Sequence, residues 1–224
     1  MTAVFVTGTG TGIGKTFVAA GLVRRLRAQG RPVDARKPVA TGFDPATVEA
    51  SDPGVLLAAL GHPATPSEVE RIAPWRYAAP LSPDMAATRE GRTLSFDELV
   101  DYCRHAIADH RGTLLIEGIG GVMVPLDDRH TVLDWMAALD IPVLLVAGSY
   151  LGTLSHTLTC LDVLKRRGLA VKALVVNETP DSAVPMADTV QTLSRFAAPV
   201  AIVPLLRLPG DVEHPVFDAI ASLL

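Results

Sequence analysis

Apolar residues in this chain follow two rhythms. Short runs, most of them rich in valine, leucine and isoleucine, lie at 3–7, 32–37, 113–117, 142–147, 170–177 and 200–204. Runs that are apolar on both alternating faces predict strands buried on both sides. Between them, residues 16–29, 95–110, 131–139, 153–167 and 183–195 repeat apolar positions at helical spacing. Ser95 followed by Glu98 predicts a capping box at the start of one such helix. The alternation predicts an α/β fold, a mostly parallel sheet with helices on both faces. Right-handed crossovers then bring every strand's C-terminal end to one edge, where ligands bind.

Residues 38–94 break the rhythm. They carry proline, glycine and acids, with short helical patches such as 55–60. The expectation is one domain over 1–224 with a long functional loop region at about 38–94.

Composition narrows the class. Hydrophobic residues make up 49% of the 224, ample for a core, and the formal net charge of -4 has no block of like sign. A nucleic-acid surface needs clustered lysine and arginine. The two small basic groups, at 24–27 and 165–167, fall near predicted helix C-termini, where they favour the helix dipole. Cys103 and Cys160 have no CxxC spacing, which argues against a disulfide or a metal cluster and fits a reducing cytoplasm. No basic segment precedes the first apolar run, and no apolar stretch nears the roughly 18–20 residues that span a bilayer. A soluble cytoplasmic protein is expected, with neither nucleic acid nor membrane as partner.

The first strand runs into GTGTGIGKT, from Gly8 to Thr16. A dinucleotide fingerprint fails, because its last glycine would fall on Ile13 or Lys15. A plain turn does not require Lys15 and Thr16 at a helix start. A phosphate-binding loop does: glycines let successive N–H groups point inward, and the helix N-terminus adds positive potential. Lys15 would reach the β- and γ-phosphates, and the Thr16 hydroxyl would ligate Mg²⁺. The usual spacing has four residues between the outer glycines, whereas Gly8 and Gly14 have five between them.

Glu117 ends the TLLIE strand ahead of Gly118, Ile119, Gly120 and Gly121, a position from which a carboxylate reaches a triphosphate-bound metal. Asp52 reads equally as a second such ligand or as an N-cap. Lysine is scarce, four against sixteen arginines, and Lys15 and Lys37 both follow strands. Lys37 therefore suits a transferring phosphoryl group or an anionic substrate. His156 reads as a packing or dimer-contact residue, and Trp75, Tyr77 and Trp135 as core.

Taken in order, GTGTGIGKT, KPVATG (37–42), APLSP (79–83), EGIGG (117–121), LGTLSHTLT (151–159) and VVNE (175–178) resemble the dethiobiotin synthetase family. The resemblance implies a P-loop α/β sheet and a homodimer with active sites at the interface. It implies a reaction that joins CO₂ to 7,8-diaminopelargonic acid and closes a cyclic urea, consuming ATP with Mg²⁺. By the same resemblance Gly12, Ile13, Gly14, Lys15, Thr16 and Phe17 would wrap the triphosphate, beside Gly118, Ile119 and Gly120. Thr16, Asp52 and Glu117 would surround Mg²⁺, and Lys15 and Lys37 would hold the carbamate and γ-phosphate. Asn177 and Glu178, with Pro204, Leu205, Leu206 and Asp211, would form the base site. Thr11, Thr41 and Ser82 would contact the diamine, while Leu151 and Ser155 of the other subunit would approach its carboxylate. Ser155 stands where family members often have asparagine, and Asp84 where histidine is common. The alternative is a nucleotide-switch ATPase of the partitioning or septum-placement type. Those proteins carry a signature lysine five residues before the loop lysine, and here that position is Gly10.

Overall fold

The computed structural model describes residues 2–207 and 215–224. In chain order the elements are β1 (Thr2–Gly8), α1 (Lys15–Ala28), β2 (Val33–Arg36), β3 (Val39–Thr41), a 3-10 turn over Pro45–Ala50, α2 (Asp52–Leu60), α3 (Pro66–Ile72), β4 (Trp75–Tyr77), α4 (Pro83–Arg89) and α5 (Phe96–Asp109). They continue with β5 (Thr113–Glu117), α6 (Val132–Leu139), β6 (Val143–Gly148), α7 (Thr153–Arg166), β7 (Val171–Asn177), α8 (Met186–Phe196), β8 (Ala201–Leu205) and α9 (Val216–Leu223).

The six apolar runs form one six-stranded sheet in the order β2-β5-β1-β6-β7-β8, every pair parallel. Successive side chains of a strand point to opposite faces, and the core divides accordingly. Phe5, Ile116, Leu145 and Val176 join one cluster with Leu99 and Cys103 of α5, Trp135 and Met136 of α6 and Leu164 of α7. Val4, Val6, Leu115, Leu144 and Val146 join the other with Val18 and Leu22 of α1, Leu56 and Leu57 of α2 and Phe217 of α9. Both faces of the central strands are thus covered. Trp135 and Tyr77 are buried core, and Trp75 is partly buried against it. The Trp135 ring meets Phe5 edge-on, with centroids 4.8 Å apart.

The 38–94 stretch differs from the expected loop. It holds three helices, the 3-10 turn and a two-stranded parallel sheet of β3 and β4. Its prolines read as breakers in the sequence, yet Pro53, Pro66 and Pro83 lie in the first turns of α2, α3 and α4. There a missing N–H costs nothing and the fixed φ is already helical. Ser51 and Thr65 cap the first two of these helices by accepting from the backbone N–H of Gly54 and Glu68. At Ser95 the hydroxyl accepts from Glu98 N at 3.3 Å, which is one half of the expected capping box; the return bond from Ser95 N–H to the Glu98 carboxylate is not formed. A further cap not foreseen lies at α6, where one Asp134 oxygen accepts from both the N–H and the hydroxyl of Thr131.

Candidate active site

Strand order decides what meets at the sheet's C-terminal edge. The strands are parallel, but the connection after β1 leads to β2 on one side and that after β6 leads to β7 on the other, and such a switch point opens a crevice. The glycine-rich loop leaves β1 into this crevice. Gly12 and Gly14 hold φ of 72° and 96°, a left-handed conformation that favours glycine. Gly14 is also packed tightly, since a Cβ there would lie 2.3 Å from Asn177 Nδ2. That amide donates to the Ile13 carbonyl at 2.9 Å, tying the end of β7 to the loop. On the other side, a Cβ on Gly121 would come within 3.3 Å of the Thr9 backbone, so the EGIGG turn also lies against the loop.

Register brings the charges together. β2 pairs with β5 up to Arg36 opposite Ile116, so the next residues on each strand, Lys37 and Glu117, emerge side by side. Lys37 Nζ lies 2.8 Å from Glu117 Oε1, 2.7 Å from the Gly118 carbonyl oxygen and 3.2 Å from Asp52 Oδ2. The Thr16 hydroxyl donates to the same Glu117 Oε1 at 2.8 Å. Asp52 is the first residue of α2, and Ser51 is the N-cap. The Asp52 carboxylate is therefore free of capping and turns to Lys37. Lys15, 7% exposed, donates to the Gly10 carbonyl at 2.8 Å.

Burial and charge act unequally on these groups. Burial, then the neighbouring Lys37 charge, draws Lys15 down to about 8 against the opposing pull of Glu117 and Asp52. Burial would lower Lys37 as well, but the charges of Glu117 and Asp52 outweigh it and hold the ammonium above its usual range. Burial would raise Asp52, yet the neighbouring Lys37 charge brings it below the ordinary carboxylate value. Glu117 is pushed up, by burial first, with Lys37 opposing and Asp52 adding to the rise.

The donor set here is oxygen only. Glu117 Oε2 is buried with no hydrogen-bond partner, and Asp52 and the Thr16 hydroxyl stand beside its carboxylate. Such a group fits a hard cation that completes its shell with phosphate and water. Among the described residues no cluster of three or more His, Cys, Asp or Glu offers a softer or denser site.

Of the remaining sequence candidates, those that follow β7 and β8 stand at the same edge. Gly148, Asn177 and Leu205 are neighbours in register across β6, β7 and β8. Glu178 N donates to the Leu205 carbonyl, and the Glu178 carboxylate accepts from Arg207 N, so 177–178 and 204–207 form one joined rim. Phe17 is exposed on the first turn of α1, with its ring 6.2 Å from that of Phe217. Thr11 is exposed on the loop, and Thr41 is half-buried at the end of β3. Ser82 Oγ is buried without a partner. Leu151 and Ser155 are exposed, on the turn after β6 and the first turn of α7, and the Tyr150 hydroxyl bonds His156 Nδ1 at 2.9 Å. Asp211 lies outside the described residues.

Sequence reasoning missed the Gly118 carbonyl as a lysine acceptor and the Asn177 tie to Ile13. It also missed the bridge in which Ser149 and Thr179 exchange backbone–hydroxyl bonds of 3.0 and 2.9 Å, locking the turns after β6 and β7 together. Hydroxyl residues directly after two adjacent strands were the only signal for that bridge.

The fold resembles those of a ParA-family ATPase from Chlorobium tepidum, with a TM-score of 0.56 at 14% identity, covering 99% of this chain and 90% of that one. It also resembles a chain of the MinC:MinD cell division complex of Aquifex aeolicus, with a TM-score of 0.56 at 12% identity, covering 100% and 94%. At these identities the likeness is of fold alone. No helix among the described residues is long and apolar enough to cross a membrane. An AAA domain family model matches residues 2–211. The chain is 51% identical over 192 residues to the ATP-dependent dethiobiotin synthetase of Acidiphilium cryptum, covering 85% of this chain and 86% of that one. It is 52% identical over 207 residues to that of a Caulobacter species, covering 91% and 88%. A glycine loop tied to β7, a lysine set against two carboxylates and this identity along nearly the whole length lead to one conclusion: the chain belongs to the dethiobiotin synthetase family.

Proposed function

We propose that the protein is an ATP-dependent cyclo-ligase that carboxylates 7,8-diaminopelargonic acid with CO₂ and closes the ring to dethiobiotin, releasing ADP and phosphate. The observation that carries this reading is the convergence of Lys15, Lys37, Thr16, Asp52 and Glu117 behind the phosphate loop in a chain about half identical to named dethiobiotin synthetases.

One amine of the diamine adds to CO₂ and loses a proton, giving a carbamate. A carbamate oxygen attacks the γ-phosphorus, and the bond to the β-phosphate oxygen breaks as ADP leaves. The second amine attacks the carbonyl of the resulting carbamic-phosphoric anhydride and loses a proton, phosphate departs with the bonding pair of the C–O bond, and the cyclic urea remains.

Phosphoryl transfer asks the protein mainly for positioning and charge. The backbone amides of residues 12–17 cradle the phosphates, with the α1 N-terminus adding positive potential. Lys15 leaves the Gly10 carbonyl for the β- and γ-phosphates, and Lys37 neutralises the carbamate and the transferring group. Thr16, Asp52 and Glu117 would hold Mg²⁺, and the partnerless Glu117 Oε2 supports that assignment. When bound, the ion shields charge on the β- and γ-oxygens. Thr11, Thr41 and Ser82 orient the diamine. Asn177, Glu178, Pro204, Leu205, Leu206 and Asp211 frame the base. A second copy of the chain brings Leu151 and Ser155 to the substrate carboxylate, which makes the working unit a homodimer.

The test incubates the purified protein with Mg-ATP, bicarbonate and diaminopelargonate. ADP release that depends on the diamine is expected. ADP release without diamine, stimulated instead by DNA or membranes, would favour the switch ATPase.

A further inference from the structure

Lys37 is buried and fully engaged within the chain. Its ammonium has three N–H donors. Glu117 Oε1 at 2.8 Å, the Gly118 carbonyl at 2.7 Å and Asp52 Oδ2 at 3.2 Å account for all of them. Two of those acceptors are the carboxylates assigned above to Mg²⁺. A lysine so committed has no donor left for a carbamate or a phosphoryl oxygen.

We propose that Lys37 is an internal stand-in for the metal, holding the Asp52 and Glu117 carboxylates until the cation displaces it and turns it toward substrate. This deepens the proposed function and rests on its metal assignment. The side chains of Lys37 and Glu117 are 3% and 1% exposed, and a buried carboxylate beside a second one needs a cation near it. The lysine supplies one positive charge and the metal two, so their exchange leaves the carboxylates compensated throughout. Thr16 shares Glu117 Oε1 with Lys37 while Glu117 Oε2 has no partner. The carboxylate therefore has an oxygen ready to meet the ion before the lysine departs. Phosphoryl transfer becomes ordered: the amine that stabilises the transferring group is released by the ion that arrives with the nucleotide.

The test measures metal binding without turnover. Mn²⁺ alone is titrated into the wild-type protein and Lys37→Met, with the free-ion electron paramagnetic resonance signal as readout and Lys165→Met, at an exposed position, as control. Removing the competing ammonium is expected to tighten Mn²⁺ binding about tenfold, within the usual range of such couplings. Added Mn²⁺ should also raise the thermal midpoint of Lys37→Met more than that of wild type. Equal or weaker binding by Lys37→Met would overturn the proposal while leaving the metal assignment intact. Uptake by neither protein would overturn both. Should Lys37→Met not fold, the wild-type protein decides. Acetylation of Lys37, read by peptide mass spectrometry against the exposed Lys165 and Lys172, is expected to rise about fivefold or more on adding Mg²⁺ to the ADP-bound protein. An unchanged ratio would refute the displacement.

Discussion

Lys15 and Lys37 are two buried ammonium groups with opposite fates, because only Lys37 has carboxylates in contact. Lys15 titrates near 8 in the folded chain against a reference of 10.5. Unfolding therefore binds a proton between those values, and this group's contribution to stability grows as pH rises from about 8 toward 10.5. Nucleotide binding has the reverse sign. Phosphates favour the charged lysine, so above pH 8 binding takes up a proton and weakens. Calorimetry of ADP binding at pH 9 in buffers of different ionisation enthalpy should show this uptake, and Lys15→Met should abolish it. Lys37→Ala should retain nucleotide binding yet lose about 10²-fold or more in turnover, as when one donor to a developing charge is removed. It should also cost about 3–5 kcal/mol of stability, because Glu117 is left buried and uncompensated. Steady-state kinetics and denaturant unfolding measure the two effects separately.

Elements set these residues in place, and small changes in them should be felt at the site. Gly14→Ala puts a Cβ 2.3 Å from Asn177 Nδ2 at a φ of 96°. The loop must shift, and nucleotide affinity should fall by at least about tenfold, which calorimetry would read. Ser51→Ala removes the cap on α2 and should cost about 1 kcal/mol in denaturant unfolding. The six sheet strands were legible because burial on both faces leaves a plain apolar run. The phosphate loop was legible because its residues are contiguous. Within 38–94 only the helical patch at 55–60 was, inside what became α2; the other elements were not, since each is short and its prolines look alike whether they end a helix or begin one. The contact of Lys37 with Glu117 was not legible either. Eighty residues separate the two, and only the pairing of β2 with β5 makes them neighbours. Asn177 was visible as a strand-end polar residue, but its bond to Ile13 depends on β7 standing one strand away from β1.

At the scale of the whole molecule, the proposed homodimer would set a second copy against Leu151 and Ser155, both exposed. Leu151 is 86% exposed, and the proposed dimer would cover it. Leu151→Glu should shift the protein to monomer in sedimentation velocity and lose turnover, while ADP binding at the glycine loop stays within about threefold of wild type. The glycine loop, Lys37, Glu117 and Asn177 stand at one edge of the six-stranded sheet, so a single turnover can follow an oxygen atom through the proposed site. The central claim is that a carbamate oxygen attacks the γ-phosphorus. Supplying ¹⁸O-labelled CO₂ with unlabelled ATP and diaminopelargonate, and analysing the released phosphate before the label exchanges with water, tests it directly. Phosphate carrying one ¹⁸O, formed only when the diamine is present, is the predicted result. Unlabelled phosphate, or phosphate released equally without diamine, would contradict it.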